Sequence, residues 1–180
     1  MTMERLREHR PDVLAELLAR FGREIQTVAY VILRDAGDAE EALAETLLTA
    51  LERGHQLRDE AALRAWLLRI AANRALGMRR RSVRLVRFES LTEAVSPEAT
   101  DSGALDRAVL DDALADLPPR IRAAIVLRYY ADMSVDEVAA ALGTSRNTVK
   151  TQLRIGLDRL RESLRDDVGP SALGMEANHV

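Results

Sequence analysis

The stretch "SVDEVAAALGTSRNTVKTQLRIGLDRLRESL", Ser134 to Leu164, sets two amphipathic periodicities on either side of one glycine. Val135, Val138, Ala139 and Leu142 recur at helical spacing before Gly143. Val149, Leu153, Leu157, Leu160 and Leu164 do so after it. Intervals of three and four put each set on one helix face. Ser134 with Glu137 forms a capping-box pattern. Gly143 suits the left-handed residue that ends a helix, and Ser145 can cap the next one. Two short helices meeting at a tight turn form a helix-turn-helix, whose second helix enters the major groove with its N-terminal half. That half carries Ser145, Arg146, Asn147, Lys150, Thr151 and Arg154. Asn and Arg can make bidentate contacts to base edges, while Lys and Thr suit phosphates or single acceptors. The competing reading is a plain helical hairpin with a charged face.

The rest of the chain is also patterned for helix. Residues 11–33 show apolar positions Val13, Leu14, Leu17, Leu18, Phe21, Ile25, Val28, Ala29 and Ile32. "RDAGDAEE" interrupts them, and Asp38 is expected to cap a second helix with Glu41 three residues on. In that helix Ala42, Leu43, Thr46, Leu47, Ala50 and Leu51 share one face; Glu41, Ala44, Glu45, Leu48 and Glu52 share the other. "RGHQLRDE" reads as a loop, followed by "RAWLLRIAANRALGMRRR". Its apolar face is Leu63, Leu67, Ile70 and Ala71, with Arg74 close by. Trp66, Arg69, Asn73 and Arg80 form the adjoining strip, able to take phosphates on Arg and a base edge on Asn. An Arg-rich solvated helix with Trp66 in the core is the alternative. No segment sustains period-two alternation, so the fold class is all-α: two small helical domains joined by a flexible acidic linker.

Charge divides the chain in the same places. The net charge is −3. Residues 61–87 carry eight basic and no acidic side chains, and residues 88–117 carry eight acidic and one basic. Residues 118–165 return to a net +4. Such asymmetry suggests separate surfaces with separate partners, although a linker folded back on the basic blocks would also neutralise them. "ESLTEAVSPEATDSGA" mixes Ser, Thr, Pro, Gly and acids as linkers do. The domains are drawn at 1–87 and 107–165, with the linker at 88–106 and a tail at 166–180.

Composition removes several classes of chemistry. With no Cys in the chain, it has no thiol nucleophile, disulfide or Cys-based zinc site. Its three His lie far apart in sequence, so no metal site is expected. The sequence holds no P-loop and no Ser/His/Asp set, so neither a catalytic residue nor a cofactor is expected, and the chain reads as a non-enzyme. No apolar run approaches the roughly 18 residues of a spanning helix. The N-terminus lacks the apolar core of a signal peptide. Both point to a cytoplasmic location without membrane insertion.

Two separated segments resemble one family. "ALADLPPRIRAAIVLRYYADMSVDEVAAALGTSRNTVKTQLRIGLDRLRESL" is similar to region four of bacterial RNA polymerase sigma factors, and "DAEEALAETLLTALERGHQLRDEAALRAWLLRIAANRALGMRRR" to region two. Their order, with no room for a region-three domain, resembles the extracytoplasmic-function group. The resemblance covers about residues 12–165. It implies a dissociable initiation factor that binds core RNA polymerase, selects promoter DNA and helps to melt it. Glu41, Ala44, Glu45 and Leu48 would dock on the β′ clamp helices, and region four would meet the β flap. The loop Arg53 to Glu60, with Trp66, Arg69, Asn73, Arg79 and Arg80, would capture the minus-ten strand. Ser145, Arg146, Asn147, Lys150, Thr151 and Arg154 would read the minus-thirty-five element. The acidic linker would thread toward the active-site cleft, and an anti-sigma factor is an implied partner. Two positions depart from the family pattern: Ala44 stands where Gln is usual, and "TQLRIG" replaces a Ser-Arg-Leu-x-Arg-Ala run. Two other functions fit the residues: a helix-turn-helix regulator that needs no polymerase, and a degenerate sigma-like protein that titrates an anti-sigma factor.

Overall fold

The computed structural model describes Leu6 and residues 12–57, 59–86 and 102–167. Among the described residues there is no strand, and no helix is long and apolar enough to cross a membrane. Helix α1, Asp12–Leu33, buries Val13, Leu17, Phe21, Ile25, Val28, Ala29 and Ile32 as its periodicity predicts. Leu18 departs from the expected face and is 49% exposed. It lies along the helix's own surface over Gly22, where an added Cβ would meet its Cδ1 at 2.8 Å.

Helix α2, Ala36–Arg53, begins one turn earlier than expected. Asp35, not Asp38, is the cap: its Oδ1 accepts a bond from the Asp38 amide at 2.8 Å. Extended backbone at Asp35 lets its carboxylate reach the third helical amide, and Asp38 is itself that third residue. Thr46 and Thr49 are buried, and their hydroxyls donate to the Ala42 and Glu45 carbonyls. The expected loop holds two single 3₁₀ turns, Gly54–Gln56 and Glu60–Ala62. Helix α3, Leu63–Val86, follows. Its buried arc keeps Leu63, Leu67 and Ala71, leaves Ile70 half-buried at the edge of a cavity, and adds Leu68, Ala72, Ala75 and Leu76, because α1, α2 and a C-terminal helix all pack on it.

The second half comprises α4, Ser102–Ala115; α5, Pro119–Ile125, which runs on as a π-helical turn Val126–Tyr130; α6, Val135–Leu142; and α7, Arg146–Asp167. Helix α4 starts five residues ahead of the boundary drawn at 107. Residues 87–101 and the tail beyond Asp167 lie outside the described residues, and with them most of the acidic linker. The capping box of α6 is complete: Ser134 Oγ accepts from the Glu137 amide at 3.2 Å, and Glu137 Oε2 accepts from the Ser134 amide at 2.7 Å. The Ser134 amide first, and then the Ser134 hydroxyl, hold the Glu137 carboxyl below its ordinary range. Gly143 takes the left-handed conformation (φ 60°), and Ser145 Oγ accepts from the Thr148 amide at 3.1 Å. Helix α7 is continuous through Gly156. That glycine admits α5: a Cβ there would meet Ile121 Cγ2 at 2.8 Å and Ile125 Cγ1 at 2.9 Å.

The two halves pack against each other, α3 on α6 and α1 on α5. One hydrophobic core runs through both halves, and polar side chains bridge them as well.

Candidate nucleic-acid interface

Three of the α3 residues singled out in the sequence line one cavity of about 410 Å³: Trp66, Arg69 and Asn73. They are joined by Arg53, from the end of α2, and Gln56, from the turn after it. Glu45, Thr49 and Arg74 complete one side. There Arg74 pairs with Glu45 at 3.2 Å and donates to Thr49 Oγ1 at 3.1 Å. Trp66 is half-buried, packing against the core while also lining the cavity. Its ring thus sits between core and surface.

Arg79 and Arg80 do not join that group. They line a second cavity of about 430 Å³ with Leu76, Pro118, Pro119 and Arg120. At about 100° per residue, Arg79 lies about 220° around the helix from Trp66. Arg80 returns toward the strip but sits two turns further on, where the start of α5 meets α3.

Polar bonds cross between the halves at several points. Asn73 Nδ2 donates to Arg69 O within α3 and to Ala141 O at the end of α6, both at 2.9 Å. Arg64 pairs with Glu24 of α1 and donates to Ala131 O at 2.7 Å. Arg34 meets Asp111 at 2.9 Å. Arg122, only 2% exposed, donates to Val31 O of α1 and to the Ala115 and Leu117 carbonyls. Burial, then the charges of Arg79 and Arg34, push its pKa down to about 10. Sequence reading missed Arg64 and Arg122 because a lone arginine in an amphipathic pattern reads as solvated; only its partners reveal otherwise.

Helix α7 shows a different surface. Ser145, Arg146, Asn147, Lys150, Thr151 and Arg154 are all exposed. Arg146 pairs with Asp136 of α6 at 2.7 Å, and Arg154 stands 4.0 Å from Asp158. On α2, Glu41 and Ala44 are exposed, and Leu48 is an exposed apolar side chain beside them at 54%. Glu45 is half-buried by its bond to Arg74.

The family model for sigma-70 region 2 matches residues 17–85, and that for sigma-70 region 4 matches residues 107–160. The RNA polymerase sigma-E factor of Streptomyces coelicolor is 39% identical over 134 residues, 74% of this chain and 75% of that protein. The ECF RNA polymerase sigma factor SigL of Mycobacterium tuberculosis is 34% identical over 137 residues, 73% of this chain and 77% of that protein.

The chain belongs to the extracytoplasmic-function group of RNA polymerase sigma factors.

Among solved structures, the sigma factor RpoE of Bartonella quintana, in complex with the anti-sigma factor NepR, superposes with TM-score 0.74 at 26% identity, covering 85% of this chain and 96% of that one. The all-α architecture and both sigma regions expected from the sequence are therefore present. In this sigma factor the α3 strip and the α7 surface are separate, and α6 lies between them with a bond to each: Ala141 to Asn73 and Asp136 to Arg146.

Proposed function

We propose that this sigma factor holds the melted minus-ten strand in the cavity of Trp66, Arg69 and Asn73, and reads the minus-thirty-five element with the N-terminal half of α7. The observation that carries this is the meeting of an aromatic ring, four arginines (Arg53, Arg69, Arg74 and Arg81) and two amide side chains in one cavity, with Arg53 contributed by the end of α2 and Gln56 by the turn after it. An unstacked base needs a ring or guanidinium plane to stack on, amides for its edges and positive charge for its phosphate. The reading requires no catalytic residue. On α7, Asn147 and Lys150 stand ready for a groove, and Arg146 becomes available on leaving Asp136.

Core polymerase docks on the exposed α2 face of Glu41, Ala44 and Leu48, with Glu45 at its edge, and on region four. An anti-sigma factor is a further proposed partner, as the solved neighbour was captured with one. The protein acts where polymerase acts, in the cytoplasm.

The test is in vitro transcription with core polymerase, with 2-aminopurine in the minus-ten element reporting unstacking. Arg69→Ala and Asn73→Ala are expected to cut the fluorescence rise at least tenfold while leaving core binding unchanged. Arg146→Ala with Lys150→Ala is expected to cut promoter-specific initiation without affecting core binding. Normal melting by the α3 variants would overturn the assignment of the cavity.

A further inference from the structure

The cavity of Arg79, Arg80, Arg120, Leu76, Pro118 and Pro119 lies on the seam between the two halves. Arg79 and Arg80 come from α3 and Arg120 from α5, so three arginine side chains line one space from both sides. Among the described residues none of the three forms an ion pair. Behind them lies Arg122, also cationic and almost wholly buried. Among the described residues, Asp116 acts on Arg122 and Asp111 is engaged by Arg34. Like charges brought together at the seam repel, although Arg80 and Arg120 are exposed to screening solvent.

Hydrogen bonding shows the same shortage. The Nε–H groups of Arg79 and Arg122 are buried without an acceptor. Nearly all buried donors in folded proteins have one. Arg122 does not line the cavity, but Arg79 does, and its orphan marks a cationic cluster short of acceptors. The walls set its size and shape. Leu76, Pro118 and Pro119 offer an apolar surface beside the arginines, and about 430 Å³ falls within the range of small-ligand sites. Arginines beside an apolar wall match a molecule with phosphates at one end and a flat base at the other.

We propose that this seam cavity binds a nucleoside di- or triphosphate, with its phosphates on Arg79, Arg80 and Arg120 and its base against Leu76, Pro118 and Pro119. Because its arginines come from both halves, the ligand holds α3 and α5 together. Bound ligand therefore favours the arrangement in which Asn73 is bonded to Ala141, and occupies Arg79 and Arg80 at the same time.

The experiment uses the full chain and titrates GTP and inorganic tripolyphosphate by calorimetry. In parallel it follows the distance between fluorophores on Glu40→Cys and Glu162→Cys, the only thiols in an otherwise Cys-free protein. Saturable GTP binding is expected, tighter than that of tripolyphosphate and accompanied by a shorter or narrower distance distribution. Arg120→Gln, an exposed position, should weaken GTP at least tenfold while leaving the circular dichroism spectrum unchanged. Absence of saturable binding, or GTP affinity unaffected by Arg120→Gln, overturns the site. Equal affinity for GTP and tripolyphosphate overturns the seat for the base.

Discussion

The side-chain amide of Asn73 donates to the main-chain carbonyl of Ala141 at 2.9 Å, tying the helix proposed to hold melted DNA to the first helix of the helix-turn-helix. A side-chain amide has two N–H groups, and here one nitrogen supplies both Arg69 O and Ala141 O. Asn73 therefore has no donor left for a base in this arrangement. Strand capture through Asn73 requires α6 to move away.

Arg64 offers a way to shift that balance without touching a proposed DNA contact. It bridges Glu24 and Ala131 O across the seam. Arg64→Gln should weaken closure by on the order of 1 kcal/mol, since the pair is partly exposed and screened. Fluorophores on α2 and α7 should report a longer mean distance, while melting of each half stays within a few degrees. An unchanged distance would show that Arg64 does not hold the seam.

Arg122 should behave as a structural cation. Three carbonyls depend on it, and each unmatched buried acceptor costs about 1–3 kcal/mol. Arg122→Met should therefore destabilise the fold by about 2–4 kcal/mol in urea titrations. Its pKa, lowered to about 10, lies below its unfolded value, so the charged form carries a folding penalty at every pH below 10. That penalty is relieved only as pH rises above about 10. The difference between Arg122→Met and the parent should hence stay flat from pH 6 to 9; a slope within that window would contradict the assignment.

The capping box of α6 predicts an acid-side effect. The folded pKa of Glu137 is lowered, so its contribution is complete above the ordinary carboxylate range. It is lost as pH falls through the lowered folded value. Glu137→Gln should remove this part of the acid dependence and leave stability near pH 7 only slightly reduced, because the side chain is exposed. Acid unfolding curves of the two proteins that remain parallel throughout would count against it.

Docking on polymerase is expected to run through the exposed apolar side chain on α2. Leu48→Asp should lower core affinity at least tenfold in a competition assay, with the helix content unchanged. Ala44→Gln should leave affinity unchanged or raise it. A marked loss from Ala44→Gln would mean that this face meets polymerase differently from the family.

Periodicity made the helices legible, since Val13 to Ile32 and Val149 to Leu164 each bury one stripe against a neighbouring element. Local chemistry made the α6–α7 turn legible, because the Ser134 box, the left-handed Gly143 and the Ser145 cap depend only on residues within three or four positions. The α2 cap was misplaced by one turn because "RDAGDAEE" offers two aspartates and only backbone geometry chooses Asp35. Three of the five minus-ten candidates, Trp66, Arg69 and Asn73, share the first cavity, as their spacing implied. Arg79 and Arg80 line the seam cavity instead; helix phase already turns Arg79 away from Trp66, but nothing local in "GMRRR" places α5 beside them. Seam contacts such as Asn73 with Ala141 span 68 positions, beyond the reach of any pattern within a helix.

Gly156 acts as the fulcrum of the recognition helix. With no Cβ, it lets α7 rest on Ile121 and Ile125, and Arg146 lies ten residues away, about 15 Å along the axis. Each degree of tilt at that bearing moves the Arg146 backbone by about 0.3 Å, so a few degrees would move it by the tolerance of a hydrogen bond. The aim of the surface proposed to read the promoter thus depends on one missing methyl group as well as on the side chains that α7 carries.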